Sequence, residues 1–279
     1  MTTDFFLNQL QDRLVSFENA ISTNEKDWII KGFIDIYKRI YTISIDTKIV
    51  SKVLELLLFP LLSQFAMDNN LDIELSPQQN FYPDVTFIDR KNSRLFALDI
   101  KTTYRIDDEK VNGMTLGAFT GYFRNRASRK NIAFPYAHYS GHFVLGIIYS
   151  HVEEIIDEKK VYTLQDLDII PSVINNFKFF VQPKYKIASS RPGSGNTKNI
   201  GSITHINDLI HGNGPFSVLG EDIFDDYWMF YLTNDMAKSL EVIRPYSNLK
   251  EYHAYKSKGL CNLENNKDNP LLKKEWEVL

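Results

Sequence analysis

Asp84 and the triplet Asp99-Ile100-Lys101, fifteen positions further on, are the residues whose types and spacing could do chemistry. If residues 95–103 form a strand, alternation turns Phe96, Leu98 and Ile100 to one face and Ala97, Asp99 and Lys101 to the other. An acid and a lysine then stand side by side beneath an apolar strand. Asp84 follows Pro83 and opens the β-type run 85–88, and a turn over 89–93 makes a hairpin that brings it beside Asp99. Two converging carboxylates and an ammonium suit phosphodiester hydrolysis. Carboxylate oxygens hold a hard ion such as Mg²⁺, which acidifies a bound water and neutralises charge building on the phosphate. Lys101 can orient or help deprotonate that water and stabilise the pentacovalent transition state. Each fragment alone is common, since Asp-x-Lys is usually a solvated strand face and Pro-Asp an ordinary turn. Only the pair on adjacent strands is informative.

The elements that must position these residues read as mixed α/β. Leu7, Leu10, Leu14 and Phe17 recur at helical spacing behind Thr3, which predicts one capped amphipathic helix over 4–20. Residues 28–45 are rich in Ile, Tyr and Phe and interrupted at Gly32, as in short strands or a hairpin. Asp46 caps a second helix running through Val53, Leu54, Leu57 and Leu61, which Pro60 should kink or break. Leu116, Phe119 and Phe123 share one helical face, followed by the basic group Arg124, Arg126, Arg129 and Lys130. Residues 142–149 suit a strand buried on both faces. A β-type run over 177–187 leads into a Gly/Ser/Asn segment at 189–202, and Phe224, Trp228, Tyr231 and Leu232 mark a late helix. No internal repeat or long linker divides the chain.

Composition sets bounds. Against 35 Asp+Glu there are 32 Lys+Arg, a net charge of −3, so no global basic excess announces a nucleic-acid partner. A single basic cleft would be enough. Cys261 is the only cysteine, which rules out an intrachain disulfide and a cysteine zinc site. His138 and His142 are four apart but lie among a glycine and strand-type residues, a poor helical metal pair. The start lacks a basic leader, and the apolar stretch 54–62 contains Glu55 and Pro60 and is too short to span a bilayer. A cytoplasmic location is expected.

Pro83-Asp84 with Asp99-Ile100-Lys101 is the Pro-Asp…Asp/Glu-x-Lys signature of a nuclease superfamily that includes restriction enzymes, resolvases and repair nucleases. Longer segments carry a closer likeness: Gln78-Gln79-Asn80-Phe81-Tyr82-Pro83-Asp84, Leu98-Asp99-Ile100-Lys101-Thr102-Thr103-Tyr104, and Gly193-Ser194-Gly195-Asn196-Thr197-Lys198-Asn199-Ile200-Gly201-Ser202. Asp46-Thr47-Lys48, Glu55-Leu56 and Thr115-Leu116-Gly117 fit the same pattern. Collinear from about residue 44 to 230, the chain resembles the EcoRV-type family of type II restriction endonucleases.

The resemblance implies a restriction-endonuclease-like α+β fold in one domain over 1–279. Within it, about 1–45 mostly serve dimerisation, about 46–256 serve catalysis and DNA binding, and 257–279 form a tail. Asp84 and Asp99 would be metal-binding carboxylates, Lys101 the catalytic lysine, and Glu55 an auxiliary acid near a second metal position. Gln78, Gln79 and Asn80 resemble a minor-groove loop. Gly193, Ser194, Gly195, Asn196 and Thr197 resemble a major-groove loop, where glycine admits close backbone approach and Asn offers adenine both donor and acceptor. Thr102 and Thr103 are placed for phosphate contacts. A Mg²⁺-dependent homodimer is expected, cutting double-stranded DNA at a palindrome such as GATATC to blunt ends. A cognate methyltransferase would belong to the same system without forming a complex with it. Lys198 departs from the family pattern, which has a small hydroxyl residue there. Two alternatives stay open: a resolvase or repair nuclease of the same superfamily, and a DNA-binding protein of this fold without chemistry.

Overall fold

The computed structural model describes residues 1–78, 80–152, 157–193 and 198–257. Two short helices open the chain, α1 (Thr3–Gln11) and α2 (Leu14–Ile21), in place of the single helix expected over 4–20. The cap is Thr2, whose hydroxyl accepts from the Phe5 amide at 3.2 Å. The break falls where the Arg13 amide bonds the Leu10 carbonyl, a tightened last turn, while the Arg13 guanidinium reaches Asp68 at 2.6 Å. Each half then buries its own pair, Phe6 with Leu10 and Phe17 with Ile21.

The expected hairpin is present as β1 (Phe33–Ile34) and β2 (Ile40–Tyr41). Next comes α3 (Thr47–Asp68), capped by Asp46, whose carboxylate accepts from the Lys48 and Ile49 amides. Contrary to expectation, α3 runs through Pro60 unbroken for 22 residues. Pro60 and Leu56 both lie on the exposed side, so the carbonyl left without an amide partner faces water. The opposite stripe, Val50, Leu54, Leu58, Leu62 and Ala66, is buried at four-residue steps. At this length and composition α3 could cross a membrane, whereas the stretch 54–62 read alone is too short; here its apolar stripe packs on the sheet.

A five-stranded sheet carries the site, in the order β3 (Asp72–Leu75), β4 (Val85–Asp89), β5 (Arg94–Tyr104), β7 (Tyr139–His151) and β9 (Ile174–Pro183). Only β5 and β7 run parallel; the other neighbours are antiparallel. β6 (Thr115–Ala118) lies between β5 and β7 in the chain but belongs to another sheet. The helix expected through Leu116, Phe119 and Phe123 is instead this strand and a 3-10 turn at Gly121–Phe123. Gly117 and Gly121 take φ of +92° and +58°, left-handed values that interrupt helical winding. β8 (Val161–Tyr162) joins the β1–β2 hairpin.

The run over 177–187 divides into the end of β9 and a one-turn helix, α4 (Lys184–Ile187). Beyond it, β10 (Ala188–Pro192) and β11 (Asn199–Ser202) pair antiparallel, and β11 pairs with β6. Then follow α5 (Ile206–His211), α6 (Glu221–Phe230), α7 (Asn234–Ser239) and α8 (Leu249–Lys256). Phe224 and Trp228 lie within α6, as expected, whereas Tyr231 and Leu232 follow its end.

Each face of the central sheet covers its own core. Phe96, Leu98 and Ile100 of β5 pack with the first three helices, and Ala97 packs with Tyr82, Tyr122, Tyr136 and α6. The strand alternation expected for β5 is therefore present.

Candidate active site

β4 stops one residue short of what β5 needs. Their last pair is Val85 with Leu98, so beyond it β5 has no strand partner on that side among the described residues. The carboxylate of Asp84 takes that place, accepting from the Ile100 amide at 2.7 Å. A side chain thus does the work of a strand and is held at main-chain accuracy. The preceding Tyr82–Pro83 peptide is cis.

Asp99 and Lys101 project from the same face of β5. The Lys101 Nζ lies 2.6 Å from Asp99 Oδ2 and 3.9 Å from Asp84 Oδ2, so the ammonium sits between the two acids. Asp99 is 5% exposed, while Asp84 and Lys101 remain half-buried. Burial and the facing Asp99 carboxylate push the Asp84 carboxyl up to about 7, although Lys101 and the Ile100 amide pull the other way. Burial alone would pull the Lys101 ammonium down, yet Asp99, Asp84 and Glu55 outweigh it and hold it above its ordinary value. Two carboxylates that resist simultaneous ionisation, both oxygen donors, fit a hard divalent cation.

A cavity of about 350 Å³ opens at this edge, lined by Asp84, Ile100, Lys101 and Thr102 from the sheet region. Ser51 and Glu55 reach it from α3, and Gly113, Met114 and Thr115 complete its wall. Glu55 therefore faces the same cavity as Asp84 and Lys101, where it pairs with Lys52 Nζ at 2.7 Å. Among the described residues no three His, Cys, Asp or Glu side chains gather closely enough to hold an ion, so Glu55 stands apart from the aspartate pair.

Thr102 and Thr103 part company. Thr102 lines the cavity and its Oγ1 lies 2.5 Å from Ser51 Oγ. Thr103 turns inward, 4% exposed, and donates to the Asn112 carbonyl at 2.5 Å. Gln78 and Asn80 are exposed on the turn leading to Asp84, with Phe81 N bonding Gln78 O at 3.0 Å. Gly193 leaves β10 and bonds Asn199 O at 2.9 Å; a Cβ on it would meet Thr115 Cγ2 at 3.0 Å. Gln79, Ser194, Gly195, Asn196 and Thr197 lie outside the described residues. Thr115 thus touches the base of the 193–198 loop while lining the cavity.

Sequence reading overlooked Ser51, Gly113 and Met114, and noted Thr115 without placing it in the wall. Ser51 could have been found, because it lies one helical turn before Glu55 on the same face; the wall depends on tertiary contacts. Two members of the basic group turn from solvent, one fully and one in part. Arg124 is buried and donates to Tyr231 O at 2.7 Å, and Arg126 donates to Asp225 at 2.7 Å.

The family described as "Restriction endonuclease EcoRV" matches residues 24–257. The type II restriction enzyme EcoRV of Escherichia coli is 34% identical over 243 residues, which cover 86% of this chain and 96% of that enzyme. Among solved structures, NlaIV restriction endonuclease aligns over 99% of this chain and 90% of its own, at TM-score 0.43 and 14% identity. A match that spans most of the chain and nearly all of the bacterial enzyme leaves one assignment: this chain belongs to the EcoRV family of type II restriction endonucleases.

Proposed function

We propose that the protein is a Mg²⁺-dependent homodimer that cuts duplex DNA within a short palindrome, GATATC or a close variant, to blunt ends. The observation that carries this reading is the convergence of Asp84, Asp99 and Lys101 at the open end of β5. Asp84 and Asp99 would hold the ion, which when bound acidifies a water and offsets charge on the scissile phosphate. Lys101, in contact with Asp99, is suited to orient or help deprotonate the nucleophile and to stabilise the anionic transition state. Glu55 serves as an auxiliary acid across the cavity. Thr102 offers a hydroxyl to the phosphate backbone, and Thr103 acts indirectly by fixing the strand's far side. Recognition is assigned to Gln78, Gln79 and Asn80 in the minor groove and to Gly193, Ser194, Gly195, Asn196 and Thr197 in the major groove.

The dimer reading draws support from an apolar surface on the small sheet. Phe33, Ile34, Ile36 and Tyr37 on the hairpin and Val161 and Ile169 beside it are exposed, Ile36 by 89%. Such a patch suits a twofold interface, which a palindrome mirrors. A cytoplasmic location and a separate protecting methyltransferase complete the proposal. Digesting a plasmid of known sequence in Mg²⁺ and mapping the ends tests it directly. Blunt ends at a single hexanucleotide are expected, and cutting without site preference would overturn the site-specific reading.

A further inference from the structure

On the tyrosine-lined face of the central sheet lies a lysine that the reaction described above does not use. Lys184 begins α4, where the last strand of the central sheet hands over to the sheet that bears the 193–198 loop. It is 2% exposed, and its ammonium has no hydrogen-bond partner among the described residues. Three rings surround it instead: Tyr82 at 5.1 Å, Phe123 at 5.5 Å and Tyr136 at 5.7 Å from Nζ to ring centre. The cage is tight, since a Cβ on Gly117 would come within 3.5 Å of Nζ.

Cation–π contacts offset only part of the cost of burying an ammonium. Burial pulls Lys184 down to about 8, and the carboxylates of Asp99 and Asp225 oppose that pull against Lys101 and Arg126. Interaction between charges is mutual, so whatever Asp99 does for Lys184, Lys184 does for Asp99. Lys101 touches Asp99 directly, whereas Lys184 lies across the same sheet, just beyond Gln182, which is level with Val144 and through it with Asp99. A methionine would fill the same cage without the desolvation cost, so the charge calls for a purpose other than stability.

We infer that Lys184 sets the ion affinity of the site: its caged ammonium offsets part of the negative charge of Asp99 and so raises the divalent-ion concentration at which the aspartate pair fills. The inference rests on the reading of the pair as the ion-holding site. It is tested by titrating the full-length, DNA-free protein with Mn²⁺ and following free Mn²⁺ by electron paramagnetic resonance. Lys184→Met should bind Mn²⁺ at a concentration lower by roughly fivefold or more, because one repelling charge is gone. Lys184→Arg, which keeps the charge, should stay within about twofold of the wild type.

An unchanged midpoint in Lys184→Met overturns the inference, as does an equal shift in both variants, which would mark a packing effect. Lys184→Gln substitutes if the methionine variant does not fold, as judged by circular dichroism. Asp99→Asn separates the two readings, because it leaves Lys184 in place. If that variant binds Mn²⁺ as the wild type does, the ion-holding role of the pair fails and the role of Lys184 falls with it.

Discussion

One strand divides two interiors of opposite character. On the helix-covered side of β5, Phe96 stacks on Phe6 at 4.4 Å, and Phe65, Phe87 and Phe143 crowd around Phe6 within 5.7 Å. None of these rings carries a polar group. On the other side the rings bear hydroxyls and lie among charges. Tyr82 meets His142 Nδ1 at 2.9 Å, His142 stacks on Tyr136 at 3.8 Å, and Arg126 and Lys184 lie over the same rings. Burial, with Lys184 and Arg126 nearby, holds the His142 imidazole well below its ordinary value and therefore neutral. The difference teaches a division of labour. The phenylalanine side supplies stability through apolar burial, and the tyrosine side uses it to keep charges where water would otherwise disperse them.

The largest expected effect lies on the charged side. Asp99→Ala should lower cleavage by roughly 10³-fold or more while specific duplex is still bound, as read by plasmid nicking beside a gel-shift assay. Cleavage within tenfold of the wild type would remove the polar side from the chemistry. Next comes the apolar side, where Phe96→Ala should cost about 3–5 kcal/mol in urea unfolding. A loss below about 1 kcal/mol would show that this side is not the stabilising one.

Asp84→Asn sharpens the contrast through pH. In the folded protein this carboxyl is raised to about 7, well above its ordinary 3.8. The folded state therefore favours the protonated acid, and that stability is lost as pH rises through 7. The asparagine variant should melt higher than the wild type at pH 8, by the equivalent of about 1–2 kcal/mol once partial exposure is discounted. The gain should shrink at pH 5, whereas a constant difference at both values would contradict the assignment. Ser51→Ala is expected to matter least. Loss of its contact with Thr102 should slow cleavage only severalfold, measured as kcat at saturating DNA, and no change would leave Ser51 as a plain wall residue.

The chemistry-bearing part of the fold was the more legible. Alternation in β5 and the turn after β4 follow from local residue order, so the amino-acid sequence by itself implies the meeting of Asp84, Asp99 and Lys101. Where sequence and fold diverge, the cause is context. Pro60 is tolerated because its helix turns that position to solvent, and Leu116, Phe119 and Phe123 keep helical spacing while two left-handed glycines forbid the helix. Arg124 and Lys184 are buried, which only contacts with rings and a carbonyl distant in sequence reveal. The wall at 113–115 likewise exists only once β6 has paired with β11.

The way Asp84 is docked has a consequence for how faults would show. Its carboxylate grips the amide of Ile100, so the placement of Asp84 beside Asp99 and Lys101 is tied to the alignment of two strands. A slip of one position would rotate Asp99 and Lys101 into the phenylalanines and swing Ile100 outward. Misalignment would then abolish activity and stability in a single event, leaving no half-built enzyme able to nick DNA.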